Sequence, residues 1–142
     1  MSIKTDLMLQ YYRDVWENGE LEKIESYFTP QDHDQYIVEG KKIVPSEIRE
    51  WVSIIRSFVT DIKVTVLQSV EEGDWLALML RIDCLRVDTR TPVRVHQQIM
   101  FRFDGNLKAE SYPFFDFLNF FEQLGQLPED VHALLLAGTN LD

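Results

Sequence analysis

Asp116 closes an aromatic stretch, Tyr112-Pro-Phe-Phe-Asp-Phe-Leu-Asn-Phe-Phe121, in which nearly every neighbour is a ring. A carboxylate walled by rings loses hydration, and such surroundings can adapt an acid to hold and release a proton. The same aspartate directly precedes an apolar helical run. There it is a natural N-cap whose carboxylate accepts a backbone N–H from the next turn. The residues leave both readings open.

Side chains alternate along a strand, so Glu110, Tyr112, Phe114 and Asp116 share one face and Ala109, Ser111, Pro113 and Phe115 the other. A three-residue turn with Gly105 in the left-handed position would set Gln98 opposite Glu110 and His96 opposite Tyr112. A two-residue Asp104-Gly105 turn would set Ile99 and Gln97 there instead. The first register gathers His96, Gln98, Tyr112 and Asp116 on one surface, where His96 could exchange a proton near neutral pH and Tyr112 and Gln98 could orient a carbonyl. Against this, Arg94, His96 and Gln98 alternate with apolar residues as a solvent-facing strand would. Arg81 and Asp83 share a face with Trp75 and Met79, either as a pocket pair or as a surface pair of small worth.

The elements that must position these groups follow from periodicity. Ser2 can cap a first helix with Ile3, Leu7, Tyr11 and Val15 on one stripe, widened by Met8, Tyr12 and Trp16, and Asn18-Gly19 stops it. Leu21, Ile24, Tyr27 and Phe28 carry a short second helix that Thr29-Pro30 ends. Pro45-Ser46-Glu47 opens a third, with Ile48, Val52, Ile55 and Val59 in register and Trp51 and Phe58 beside them. Tyr12, Trp16 and Trp51 are therefore expected to turn toward the sheet, as cavity wall or as plain core.

After Asp61 the period falls from 3.6 to 2. One strand is expected where Ile62, Val64 and Val66 alternate with polar residues, and others over Trp75 to about Val87, Val93–Phe103 and Leu107–Phe115, with turns at Glu71–Asp74 and Asp104-Gly105. Two late segments, Phe117–Leu124 and Glu129–Ala137, read as helical. Helices first and an antiparallel meander afterwards imply an α+β fold with helices on one face of a strongly curved sheet.

Composition narrows the function classes. One domain over residues 1–142 is the expectation for this length, with 45% hydrophobic and 12% aromatic residues to build a core. A net charge of −10 opposes nucleic acid and anionic membranes as partners, since counterion release needs clustered Lys and Arg. Cys84 is the only cysteine, which removes intramolecular disulfides, and the opening residues have no signal-peptide pattern. A cytoplasmic location follows as the default. Gly-rich phosphate loops, Gly-x-Ser-x-Gly elbows and metal-ligand spacings do not occur, and neither a metal nor a cofactor is indicated. His33, flanked by acids, reads as solvated.

Four phrases together resemble the SnoaL-like polyketide cyclase family of the nuclear transport factor 2-like superfamily: Tyr12-Arg-Asp-Val-Trp-Glu-Asn-Gly-Glu-Leu-Glu-Lys-Ile-Glu-Ser-Tyr-Phe-Thr-Pro30, Glu72-Gly-Asp-Trp-Leu-Ala77, Phe101-Arg-Phe-Asp-Gly105, and Glu110-Ser-Tyr-Pro-Phe-Phe-Asp116 through Gln123-Leu-Gly125. The resemblance covers roughly residues 5 to 128. It implies a cone-shaped α+β barrel, also described as cystatin-like, with N-terminal helices packed on the concave face of the sheet around an apolar pocket. It also implies a homodimer through the sheet's outer face, where Val93, Val95, Ile99 and Phe101 are expected to leave apolar surface.

In the founding cyclases an aspartate before the last helix is the general acid/base of a cofactor-free aldol closure, and Asp116 matches that position. A tryptophan two residues after the glutamate is replaced by Tyr112, and the threonine-histidine pair after the central strand is missing near Asp83-Cys84. The implied ligand is a small hydrophobic or polycyclic organic molecule. Asp116 and His96 are the expected catalytic pair, with Tyr112, Gln98, Tyr12, Trp16, Trp51, Phe114 and Arg81 around the ligand. The competing function is a non-catalytic binding or protein-interaction module on the same fold.

Overall fold

A computed structural model describes residues 2–29 and 48–141. The acidic segment around His33 and the Pro45-Ser46-Glu47 helix start lie outside the described residues. Helix α1 (Ile3–Tyr11) begins where Ser2 accepts the Thr5 amide at 3.1 Å and runs into a π-helical turn, Tyr12–Glu17. A 3-10 helix (Leu21–Ser26) and α2 (Ile48–Phe58) complete the helical half before the sheet. Strands β1 (Val59–Glu72), β2 (Trp75–Arg86), β3 (Pro92–Asp104) and β4 (Leu107–Phe115) then form one antiparallel meander in chain order. Helices α3 (Phe117–Gln123) and α4 (Val131–Leu136) follow, so the α+β class expected from the change of period is observed.

Two irregularities bend β1, between Thr60 and Lys63 and between Val66 and Gln68. An extra residue in one strand increases local twist, and this lets a four-stranded sheet curl over the helices. The concave side of the curl is the core. Val93, Val95, Ile99, Phe101 and Phe103 of β3 all point into it, as do Leu76, Leu78 and Leu80 of β2. This corrects the expectation that Val93, Val95, Ile99 and Phe101 lie on the outer face: a row of uniformly apolar residues takes the side that excludes water.

The helices are tied to the sheet by polar contacts at their ends. Arg56 near the end of α2 donates to the carbonyls of Trp16 and Glu17 at 2.6 and 3.0 Å, occupying acceptors that a helix end leaves open. Gly19, at φ +70°, follows immediately, and a Cβ there would meet that guanidinium at 3.0 Å. The Glu17 carboxylate in turn accepts the Val64 amide of β1 at 3.0 Å.

The β3–β4 hairpin differs from both expected registers. Its turn is Gly105-Asn106, with Asp104 opposite Leu107 and Phe103 opposite Lys108. Ala109 is then passed over, so Arg102 faces Glu110, Met100 faces Tyr112 and Gln98 faces Phe114. The tight two-residue loop supplies the positive φ at Gly105, and the bulge restores a continuous ladder.

Candidate functional site

Inside the curl lies an apolar cavity of about 230 Å³. Helix α1 and the π turn contribute Tyr11, Tyr12 and Trp16, and α2 contributes Ile48, Trp51 and Ile55. The first three strands add Val59, Ile62, Val64, Ile82, Cys84, Val95, Gln97, Ile99 and Phe101. Lys108, Ser111, Pro113, Phe114 and Phe115 from β4, with Phe117 and Phe120 from α3, close it.

The π turn explains why three aromatic residues of one helix reach the same wall. A five-residue repeat sets Trp16 over Tyr11, and the indole Nε1 donates to the Tyr11 hydroxyl at 3.1 Å. Tyr11 also packs edge-on against Tyr12 at 5.1 Å between ring centroids. At the junction of β4, α2 and α3, Phe117 stands edge-on to both Trp51 (5.5 Å) and Phe115 (4.9 Å), while Phe115 meets Phe120 at 5.3 Å. Offset and edge-on rings of this kind add about 0.5–1.5 kcal/mol per pair beyond their buried area. They hold the end of β4 and the start of α3 in one shape.

Polar groups on the wall are few. Lys108 is 3% exposed; its ammonium lies 3.8 Å from the Phe28 ring centroid and donates to Ser111 Oγ at 3.0 Å. Burial pushes the Cys84 thiol up to about 11, helped by the Asp83 charge, so the thiol stays protonated and unreactive near neutrality. Tyr12 is buried, and that burial, reinforced by Tyr11, drives its ionisation well above 10. Among the described residues no Asp, Glu or His lines the cavity.

Tyr12, Trp16, Trp51 and Phe114 of the expected ligand-binding set are on the cavity wall. Phe114 is at its rim, with 63% of its surface exposed. The rest stand elsewhere. His96, Gln98, Arg81 and Tyr112 do share a surface, as the sequence suggested, but it is the outer face of the sheet. His96 and Gln98 are exposed there, Arg81 pairs with Asp83 at 3.0 Å, and Arg94 holds the other oxygen of Asp83 at 2.6 Å. The solvent-facing alternative for Arg94, His96 and Gln98 is the one observed, because the apolar odd-numbered row of β3 claims the core. Tyr112 stacks on Trp75 and its hydroxyl donates to Glu110 at 3.3 Å.

Asp116 is exposed and caps α3, accepting the Asn119 amide at 3.2 Å; its own amide donates to the His96 carbonyl at 3.4 Å. Asp116 and His96 are thus backbone neighbours, with neither side chain among those lining the cavity. Sequence reading missed Gln97, Tyr11 and Lys108. Gln97 had a signal: it is the one polar residue in the row Val93, Val95, Gln97, Ile99, Phe101, Phe103.

Among the described residues no group of three or more His, Cys, Asp and Glu side chains is arranged to hold a metal ion, and no helix is long and apolar enough to cross a membrane.

Comparison with known structures returns the same architecture. A candidate polyketide cyclase from Acidithiobacillus ferrooxidans superposes with a TM-score of 0.74 at 20% identity, covering 88% of this chain and 96% of its own. IdmH from Streptomyces antibioticus, also a candidate polyketide cyclase, gives 0.68 at 19% identity, covering 86% and 98%. A protein of ketosteroid isomerase-like fold from Catenulispora acidiphila gives 0.67 at 15% identity, covering 85% and 93%. No curated protein matches the chain. The sequence profile of SnoaL-like polyketide cyclases, however, matches residues 6–124, the span that builds both the sheet and the cavity. The chain belongs to the SnoaL-like polyketide cyclase family.

Proposed function

We propose that this protein binds a small hydrophobic, ring-bearing organic molecule in the concave cavity. The observation that carries the reading is the wall itself: rings from α1, the π turn, α2, β4 and α3 surround one apolar space with only a few polar atoms to orient a guest. Filling the space should abolish binding. Ile82→Phe adds bulk at a half-buried wall position and should remove the fluorescence enhancement of an apolar dye such as anilinonaphthalene sulfonate, whereas Met100→Ala on the outer face should leave it intact. Equal enhancement in both variants would contradict the reading.

A second reading, cofactor-free proton transfer such as aldol cyclisation, isomerisation or hydration, is favoured by the place of Asp116. It lies between Phe115 and Phe117, both on the cavity wall. His96, whose carbonyl accepts the Asp116 amide, is the companion for such a role. Asp116→Asn keeps the shape and the cap but cannot exchange a proton. Intact folding with turnover lost would support the catalytic reading, and retained turnover would remove it.

The outer face suits a second copy of this chain. Val70, Met79 and Met100 are exposed on it, continuous with the Trp75–Tyr112 stack and with Phe114. Light scattering at micromolar concentration should give about twice the 16.7 kDa chain mass. A reduced, buried Cys84 accords with a cytoplasmic location.

A further inference from the structure

We propose that Gln123 is a latch on the cavity: its side chain pins α3 to the free edge of β3, and its release lets α3 swing so that a guest enters and leaves there. The inference rests on the pocket reading above and adds how the pocket is reached.

Strand β4 pairs with β3 only from Asp104 back to Gln97, where Phe115 ends the ladder. Residues 92–96 of β3 therefore have no β4 partner. The Gln123 amide takes the missing strand's place at Arg94: its Oε1 accepts the Arg94 amide at 3.0 Å and its Nε2 donates to the Arg94 carbonyl at 2.8 Å. A second Nε2 proton goes to Asn119 Oδ1 at 3.0 Å, which fixes the orientation of the amide. Only an amide side chain offers a donor and an acceptor in the arrangement of a peptide group.

Little else fastens α3 to the sheet. Among the described residues three hydrogen bonds join residues 116–124 to the strands, and two of them belong to Gln123; the third runs from the Asp116 amide to the His96 carbonyl. The remaining hold is apolar, through buried Phe120 and Leu124 and the edge-on contact of Phe117 with Trp51. Phe117 and Phe120 line the cavity, so a movement of α3 opens that wall. The Gln123–Arg94 bonds lie at the exposed edge, where water can replace the amide. They are weak enough to break reversibly, while burial of Phe120 keeps the open form rare.

Gln123→Met keeps the length of the side chain and removes both bonds. Hydrogen exchange at the Phe120 and Leu124 amides, which donate to Asp116 and Phe120 carbonyls, should quicken about tenfold, with amides of the β2–β3 ladder changed by less than about twofold. Stopped-flow binding of anilinonaphthalene sulfonate should show association and dissociation both faster by about tenfold and the Kd moved by less than about twofold, because a latch sets the rate of passage and leaves the closed complex as it was. Asn119→Ala, which only frees the amide to turn, should move exchange and both rates the same way by about two- to threefold. Arg94→Ala leaves the main-chain partners in place and should alter neither readout.

Unchanged exchange in α3, or exchange quickened equally in the β2–β3 ladder, would overturn the latch and leave Gln123 a general stabiliser at most. Faster exchange in α3 with unmoved dye rates would put the entrance elsewhere and overturn the access role. A Kd weakened through dissociation alone would make Gln123 part of the binding wall and not its latch. If the wild type gives no dye enhancement, the pocket reading falls and the access role with it.

Discussion

The two faces of β3 carry opposite kinds of chemistry although they alternate residue by residue. On the concave face Val95, Gln97, Ile99 and Phe101 meet the cavity, and polarity there is limited to groups such as Gln97 and Lys108. The outer face holds Arg94, His96, Gln98 and Arg102, with Asp83 and Glu110 as partners from neighbouring strands. Titratable groups are abundant where water already solvates them and scarce where a ligand would sit. A cluster of ionisable residues on one strand face is thus a poor guide to a site unless the opposite face is read first. Here the opposite row, apolar but for Gln97, is the informative one.

The largest test of this contrast uses adjacent residues. Phe101→Ala should cost about 3–5 kcal/mol of stability, since a fully buried ring leaves a cavity behind. Met100→Ala, one residue away on the outer face and 46% exposed, should cost under about 1 kcal/mol. Chemical denaturation of the two variants compares them directly, and similar costs would mean that the face assignment is wrong.

Two tyrosine hydroxyls give the next comparison. Tyr27 donates at 2.5 Å to Asp14, a buried carboxylate that also accepts from Gln10 at 2.9 Å, and the Tyr27 bond is the main reason its carboxyl stays below the usual range. Removing a hydrogen bond to a charged group typically costs about 1.5–3 kcal/mol, so Tyr27→Phe should destabilise by that amount. Among the described residues the Tyr12 hydroxyl has no such partner. Its removal should be neutral or slightly stabilising, by up to about 1 kcal/mol.

Asp116 separates structure from chemistry. Asp116→Ala should lose about 1 kcal/mol as the α3 cap is removed, and Asp116→Asn should restore most of it, which thermal melts would resolve.

The smallest effect is acid-linked and belongs to the outer face. Arg94 first and Arg81 second hold the Asp83 carboxyl below its ordinary 3.8, with burial opposing them. A lowered pKa stabilises the fold above the unfolded value and loses that contribution as pH falls through the folded one. The stability gap between wild type and Asp83→Asn should therefore be steady above about pH 5 and close as pH drops below 3.8. Substitutions at Val95 or Phe101 should show no such closing.

The fold was legible because its signals are local. Ser2 caps the first helix, the period changes near Asp61, and Gly73 and Gly105 adopt the positive φ their turns need. The site was less legible because it depends on relations between strands. The bulge at Ala109 shifts the whole β3–β4 pairing, and only the tertiary fold decides which face of β3 curls inward. Tyr12, Trp16 and Trp51 were found from helical periodicity alone, whereas Lys108 had no local signal: its burial comes from packing over Phe28 across a separate chain segment. Asp116 kept both of its sequence readings in view, and the cap is the contact the fold makes with it.

Binding inside the cavity rather than on the outer face is the central claim, and chemical-shift mapping tests it most directly. Adding anilinonaphthalene sulfonate to isotope-labelled protein should shift resonances of Tyr12, Val95, Gln97 and Phe101 while Met79, Gln98 and Met100 stay in place. Shifts confined to Met79, Gln98 and Met100, with the cavity residues unmoved, would contradict it.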